Sequence, residues 1–304
     1  MLRETLRRFL DKEMPRERAR ELDQQASFCK DTFAKLCELG VTGLTVPTEY
    51  GGAGVDVLSA IVVIEELAQR GTALAGPFIH CAFYGAMNLV ENGSEAQKRE
   101  LLPRIARGEI IFAIGYTEPT AGSDLAALKT RAEPDGDHYV INGQKIFTSG
   151  AEGADYVWLA ARTDPNAPQH KGITIFVMDT RLPGFSVSPI WTVGGIRTNV
   201  TFYENVRVPA SMIVGEVNGG WRLITEQLNH ERVGLAALAY GAMGCFDMTV
   251  EWARATAASN SERRNPRGSA AALIVMTLRP ECVRPSRQAC RPTPAATPTA
   301  FHCG

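Results

Sequence analysis

Nine consecutive residues, Tyr116-Thr117-Glu118-Pro119-Thr120-Ala121-Gly122-Ser123-Asp124, gather small side chains, hydroxyls and two carboxylates behind an apolar segment at 109–114. Proline, glycine and alanine in such a run build no hydrophobic core. They let a backbone approach a ligand closely and present N–H and O–H groups to it. A second polar-and-aromatic segment, Phe147-Thr148-Ser149, closes the stretch 140–150. Farther on, Leu228-Asn229-His230-Glu231-Arg232-Val233 interrupts an apolar helical run with four polar residues. A carboxylate set in apolar surroundings is the group that removes a proton from carbon, because burial raises its pKa toward neutrality. A solvent-facing helical turn accounts for the same residues without chemistry. His230 lies about 100° round such a helix from Glu231 and reads as solvated or contacting a partner.

The elements that must carry these residues fall into three blocks. Residues 1–110 read as an N-terminal helical domain. Residues 26–39 place Phe28, Phe33, Leu36 and Cys37 on one face and stop at Gly40. Residues 57–69 are apolar nearly all round, which predicts deep burial. Ser94-Glu95-Ala96-Gln97 is a capping box. Residues 111–215 change to strand period and form a middle β domain. Tyr139 to Phe147 reads as a hairpin turning at Asn142-Gly143, followed by strands at 156–161, 172–178, 185–190 and 200–203. Short strands at this spacing predict an antiparallel sandwich or barrel. Helical period returns at 216–255 as the start of a C-terminal helical bundle. The fold class is therefore α+β.

Residues 256–304 differ in kind. Counted from 257, they hold seven arginines and two acids (Glu262, Glu281), a net of +5 that leaves −6 on the residues before them within a total of −1. The density of proline there predicts an aberrant, disordered tail, apart from an apolar patch at 270–276. With 304 residues and 45% apolar content the chain can bury a large core. Its near-zero net charge gives no global attraction to nucleic acid. Cys29, Cys37, Cys81 and Cys245 stand among apolar neighbours without a CxxC pair, so buried free thiols, no metal site and a cytoplasmic location are expected. The first residues mix acids into a basic face and read as an ordinary amphipathic helix, and no apolar run is expected to reach membrane-spanning length.

Either polar segment by itself is explained by a capped turn or a core aromatic. Together, at this spacing, they resemble the two flavin-binding segments of the acyl-CoA dehydrogenase family, over residues 1–255 in order. The resemblance implies FAD held by Tyr116, Thr117, Gly122 and Ser123 in the first segment and by Phe147, Thr148 and Ser149 in the second. Phe147 stands where the family usually has tryptophan, keeping the apolar plate without the indole N–H. Ser123, Asn229 and Arg232 match positions that contact the acyl-CoA. Glu231 matches the base of a minority branch that handles branched or bulky acyl groups. The strand at 197–202 matches the family's domain interface, Trp191 is expected in the core, and 47–52 reads as a turn between helices.

The implied activity is FAD-dependent α,β-dehydrogenation of an acyl-CoA thioester to the 2-enoyl-CoA, within lipid or fatty-acid β-oxidation. Electron-transfer flavoprotein is the implied electron acceptor, in a homo- or hetero-oligomer. Two other readings stay open: a partner-dependent, non-catalytic subunit, and a flavin oxidase or monooxygenase on the same fold. The foreign composition of 256–304 reads as a C-terminal part lost or shifted in frame.

Overall fold

A computed structural model describes residues 1–25, 29–193 and 197–263; the chain divides into two units, Met1–Cys245 and Phe246–Gly304. Phe28, the tail from 264 and its apolar patch lie outside the described residues. In the first helix, α1 (Leu2–Glu13), Leu6 and Leu10 are buried, so one stripe faces the core. Two short helices follow, α2 (Arg16–Gln24) and α3 (Lys30–Cys37). Asp56 caps α4 (Val57–Ala68) by accepting the Ser59 N–H at 3.0 Å. Glu66 of α4 is fully buried and accepts from Arg3 at 2.8 Å and from Arg7 at 2.8 and 3.0 Å, which pins α1 to α4.

Burial of α4 all round is not what forms. Ala60, Val63, Ile64 and Leu67 are buried, whereas Leu58 is 77% exposed. The helices packed on α4 cover one side of it, and Leu58 lies off that side. The next helix, α5 (Thr72–Ile79), runs on through a π-helical segment (His80–Met87) into α6 (Asn88–Asn92). Contrary to the sequence expectation, this stretch and Gly220–Thr256 are both long and apolar enough by composition to cross a bilayer. Thr72–Asn92 has 72% of its apolar window buried inside the protein, as a core helix does.

The capping box at α7 (Glu95–Ala106) forms as read, with Gln97 N–H on Ser94 Oγ at 3.2 Å and Ser94 N–H on Gln97 Oε1 at 3.0 Å. The Gln97 amide has a second role. Its Nε2 donates to the carbonyls of Ser211 (2.8 Å) and Ile213 (2.7 Å), tying the helices to the β region. Gln97→Ala removes a cap and leaves both carbonyls short of a donor. We expect a loss of about 1–3 kcal/mol, read from denaturant melts at unchanged m-value.

The β region is an eight-stranded sheet: β1 (Phe112–Gly115), β2 (Arg131–Asp135), β3 (His138–Ile146), β4 (Tyr156–Arg162), β5 (Ile173–Asp179), β6 (Phe185–Trp191), β7 (Arg197–Pro209) and β8 (Ile213–Val214). Strand order is β6-β7-β3-β2-β4-β5-β8, with β1 on β4. Most pairings are antiparallel; β1 with β4 is parallel, and β2 meets β4 only where Arg131 lies opposite Arg162. Val157, Leu159 and Ala161 of β4 share a core with Tyr203, Val206 and Val208 of β7. Tyr156, Trp158 and Ala160 join the helical core instead. Alternation thus makes β4 buried on both faces.

Four local expectations are corrected. Asn142-Gly143 is no hairpin turn: β3 runs through it, and the tight turn is Gly136-Asp137, between paired Asp135 and His138. At Gly143 (φ 151°) a Cβ would lie 2.6 Å from Thr130 Oγ1, and the register slips opposite it. There Asn205, at φ 53°, donates its N–H to Asn142 Oδ1 at 2.9 Å. The pair serves a bulge, which uses the same residue types as a turn. Trp191 is 64% exposed at the end of β6, its ring 5.9 Å from the Arg197 guanidinium carbon, so it is not core. Cys29, Cys37 and Cys81 are buried thiols, but Cys245 is exposed. The final helix, α8 (Gly220–Arg263), also outlasts the expected end near Ala255.

Candidate functional site

The first polar segment leaves β1 at Gly115, where a Cβ would meet Val157 at 2.8 Å and Leu159 and Tyr203 at 3.1 Å. Tyr116 turns its side chain inward, and its carbonyl accepts Lys145 Nζ at 3.0 Å. The Thr117 carbonyl accepts the Ile146 N–H at 2.8 Å. Glu118 is buried and accepts from the N–H groups of Lys129 (2.7 Å) and Thr130 (2.8 Å) and from Lys145 Nζ (2.8 Å). Burial opposes its ionisation, but Lys145 and the Thr130 donors outweigh that and hold its carboxyl below the usual range. Glu118 and Ala121 exchange both backbone hydrogen bonds, at 3.0 and 3.1 Å, closing a tight turn. Gly122 and Ser123 follow exposed, with open space beside Gly122.

The second segment lies against the first through those Lys145 and Ile146 bonds. Phe147 adopts φ 62°, a left-handed conformation that is an outlier for a bulky residue, and is 60% exposed. Its neighbours explain how it is held. The Thr148 N–H donates to the Asn199 carbonyl at 3.0 Å, and Asn199 Nδ2 returns to the Thr148 carbonyl at 3.0 Å. Asn199 Nδ2 and Arg197 also grip Glu152, at 2.5 and 2.8 Å. The Thr148 hydroxyl is turned inward to Thr201 at 3.3 Å, while exposed Ser149 meets Thr198 at 3.0 Å. A strained backbone between two anchored residues presents an aromatic plate outward.

Glu231 comes to the same region from α8. The helix seats closely on α4 and α5 because its contact face is small. At Gly241 a Cβ would lie 2.3 Å from the Glu65 carbonyl oxygen, and at Gly234 it would be 3.8 Å from Ile64. One turn before Glu231, fully buried Gln227 donates Nε2 to Glu231 Oε2 at 3.2 Å. Tyr84, from the π-helical segment, lies near the same carboxylate; burial first and Glu231 second push its phenol far above the usual range. Burial likewise raises the Tyr116 phenol, with Glu231 and Tyr84 adding to the effect. The Trp158 indole N–H faces the Tyr116 hydroxyl, yet neither atom closes a hydrogen bond.

The structure thus brings Tyr116, Thr117, Phe147, Thr148 and Ser149 together through backbone bonds, and Glu231 into the surroundings of Tyr116. Asn229 and Arg232 form an exposed pair on the outer side of α8, 2.6 Å apart. His230 pairs Nε2 with Glu91 at 3.2 Å, beside a pocket of about 370 Å³ lined by Glu91, Asn92, Arg222, Glu226, Asn229 and His230. Tyr84, Gln227 and the Glu118–Lys145 pair were not singled out from sequence. Lys145 had a signal: it sits four residues after Ile141 on the inward face of one strand. Tyr84 had none, being one aromatic in an apolar run.

Models of three acyl-CoA dehydrogenase domains match the chain: the N-terminal domain over residues 1–109, the middle domain over 113–206 and the C-terminal domain over 218–271. The last match reaches past residue 255, the expected end of the resemblance. "Acyl-CoA dehydrogenase FadE29" of Mycobacterium tuberculosis is 46% identical over 234 residues, 77% of this chain and 59% of that protein. A solved "Tcur3481-Tcur3483 steroid ACAD" is 46% identical with a TM-score of 0.77, covering 87% of this chain and 68% of that one. The "ChsE4-ChsE5 complex from Mycobacterium tuberculosis" is 42% identical with a TM-score of 0.71, covering 83% and 64%. The chain spans about three fifths of the length of the curated relatives it matches.

Proposed function

The chain belongs to the acyl-CoA dehydrogenase family, and from that premise we propose that it carries out α,β-dehydrogenation of an acyl-CoA thioester with Glu231 as the base. The observation that carries this reading is one arrangement: a half-buried Glu231 carboxylate that accepts Gln227 Nε2 at 3.2 Å and lies near the Tyr84 and Tyr116 phenols, in the same compact unit as the outward aromatic edge of Phe147. Glu231 takes the α-proton, made acidic by the thioester carbonyl. FAD, when bound, supplies the two-electron acceptor for the hydride that leaves the β-carbon.

The residues present fit a flavin. Phe147 offers an exposed apolar plate that costs backbone strain to hold, and a strained residue maintained by its surroundings is common at ligand sites. Half-buried Thr117 and exposed Gly122, Ser123 and Ser149 supply small polar surface around it. Thr148 contributes through its backbone, since its hydroxyl is spent on Thr201. Asn229 and Arg232, mutually bonded and exposed, fit contacts to the acyl-CoA outside the reacting centre.

A base on this inner helix favours a branched, ring-bearing or otherwise bulky acyl group. The 46% identity to a structure described as a steroid acyl-CoA dehydrogenase supports that class. Electrons pass on to an electron-transfer flavoprotein, and the buried thiols fit a cytoplasmic location. A heteromeric assembly is favoured by the likeness to the ChsE4-ChsE5 complex. Purified protein should be yellow and should bleach anaerobically when a bulky acyl-CoA is added. Colourless protein that FAD does not reconstitute, alone or co-expressed with a family member, rejects the reading for this chain.

A further inference from the structure

We propose that Gln227 and Tyr84 are positioning residues that hold the Glu231 carboxylate, an assignment that rests on Glu231 acting as the base. Gln227 stands one helical turn before Glu231 on the same face of α8, and its Nε2 reaches Glu231 Oε2 at 3.2 Å. The residue is fully buried, and its other amide atom, Oε1, has no partner. A buried unpaired carbonyl oxygen lowers stability. Leucine or methionine would fill the same space without that penalty, so packing does not explain a glutamine here. Donation to Glu231 does.

Tyr84 is the second residue beside Glu231. It lies in the π-helical segment His80–Met87, and π-turns inside helices are rare and recur at functional sites. Its backbone carbonyl accepts Asn88 Nδ2 at 2.9 Å, and its ring packs against His80 with centroids 4.9 Å apart. His80 is itself confined: a side chain at Gly150 would stand 3.2 Å from its ring. Burial also lowers its pKa to about 4, so it is a neutral wedge at neutral pH. The Tyr84 ring is therefore fixed from behind, with its phenol near the carboxylate. The Gln227 donor on α8 and the packed Tyr84 ring on a separate helix restrict a flexible glutamate to one orientation, which is what a base aimed at one carbon requires.

The test uses the full chain with Gln227→Leu and Tyr84→Phe, each alone and combined with Glu231→Gln. The carboxylate infrared band that vanishes in Glu231→Gln should shift in both single variants, a readout that needs neither substrate nor flavin. In FAD-loaded protein, Gln227→Leu should lower kcat by about 10- to 100-fold with KM changed less than about 2-fold. Its Tm should hold or rise, because the unpaired oxygen is gone. Added to Glu231→Gln, it should lower kcat no further. An unmoved carboxylate band in both single variants overturns the proposal, as does an equal kcat loss with and without Glu231. Undiminished turnover in Glu231→Gln alone instead rejects Glu231 as base, and the band then reports separately on whether these two residues hold it. If Gln227→Leu does not fold, the Tyr84→Phe band shift decides.

Discussion

Glu231→Gln should lower turnover by about two to four orders of magnitude, the range for losing a general base, while flavin content and acyl-CoA binding persist. The substitution keeps the size of the side chain and removes its capacity to take a proton. Its new amide can still accept from Gln227 Nε2 and can also donate to the unpartnered Gln227 Oε1, so the fold should lose nothing. No neighbour is placed to stand in. His230 is engaged with Glu91 at 3.2 Å on another side of the helix, and the Tyr84 phenol is held protonated by burial and by Glu231 itself. The decisive measurement is the anaerobic half-reaction, in which flavin bleaching by a bulky acyl-CoA follows proton abstraction directly. Near-normal bleaching in Glu231→Gln would place the base elsewhere. A fall in kcat with KM unchanged would identify an interaction made in the transition state and not in binding.

Glu231 stood out in the sequence as a candidate base because a polar cluster broke an apolar helical period, and the helix itself was legible for the same reason. The residues that aim it were not. Gln227 is separated from Glu231 by one turn, which sequence spacing permits, but nothing in its type marks it as fully buried. Tyr84 depends on a π-helical segment, whose extra residue per turn shifts side chains off the expected face without a sequence signature. The Asn142-Gly143 misreading has a similar origin. A bulge and a hairpin turn draw on the same glycine tolerance, and only the partner strand, with Asn205 opposite, distinguishes them. Trp191 was expected in the core. Its position on edge strand β6, which only the sheet order reveals, leaves it exposed.

What holds the two polar segments together could be read only in part, and it carries the largest expected effect on stability. Lys145→Met should destabilise the protein by about 3–5 kcal/mol, the range for removing one partner of a buried ion pair, and should impair FAD retention. The ammonium lies 2.8 Å from Glu118 and 3.0 Å from the Tyr116 carbonyl, so it fastens β3 to the loop that begins at Tyr116. Methionine leaves the Glu118 carboxylate buried with the Lys129 and Thr130 N–H groups and no cation. Glu118→Gln should be milder. Burial already lowers the Lys145 pKa to about 8 despite the opposing charge, so without Glu118 the amine can shed its proton. The double variant Glu118→Gln/Lys145→Met should recover most of the loss, because both charges are then gone. The pH dependence has a definite sign. The Glu118 pKa is depressed in the folded state, so its contribution is present in full above the usual carboxylate range and is lost as pH falls through the folded value. Denaturant melts at about pH 7 and about pH 3 should therefore show a wide gap between wild type and Lys145→Met that narrows in acid. A gap that stayed constant with pH would mean that packing of the lysine stem, and not the ion pair, fastens the loop.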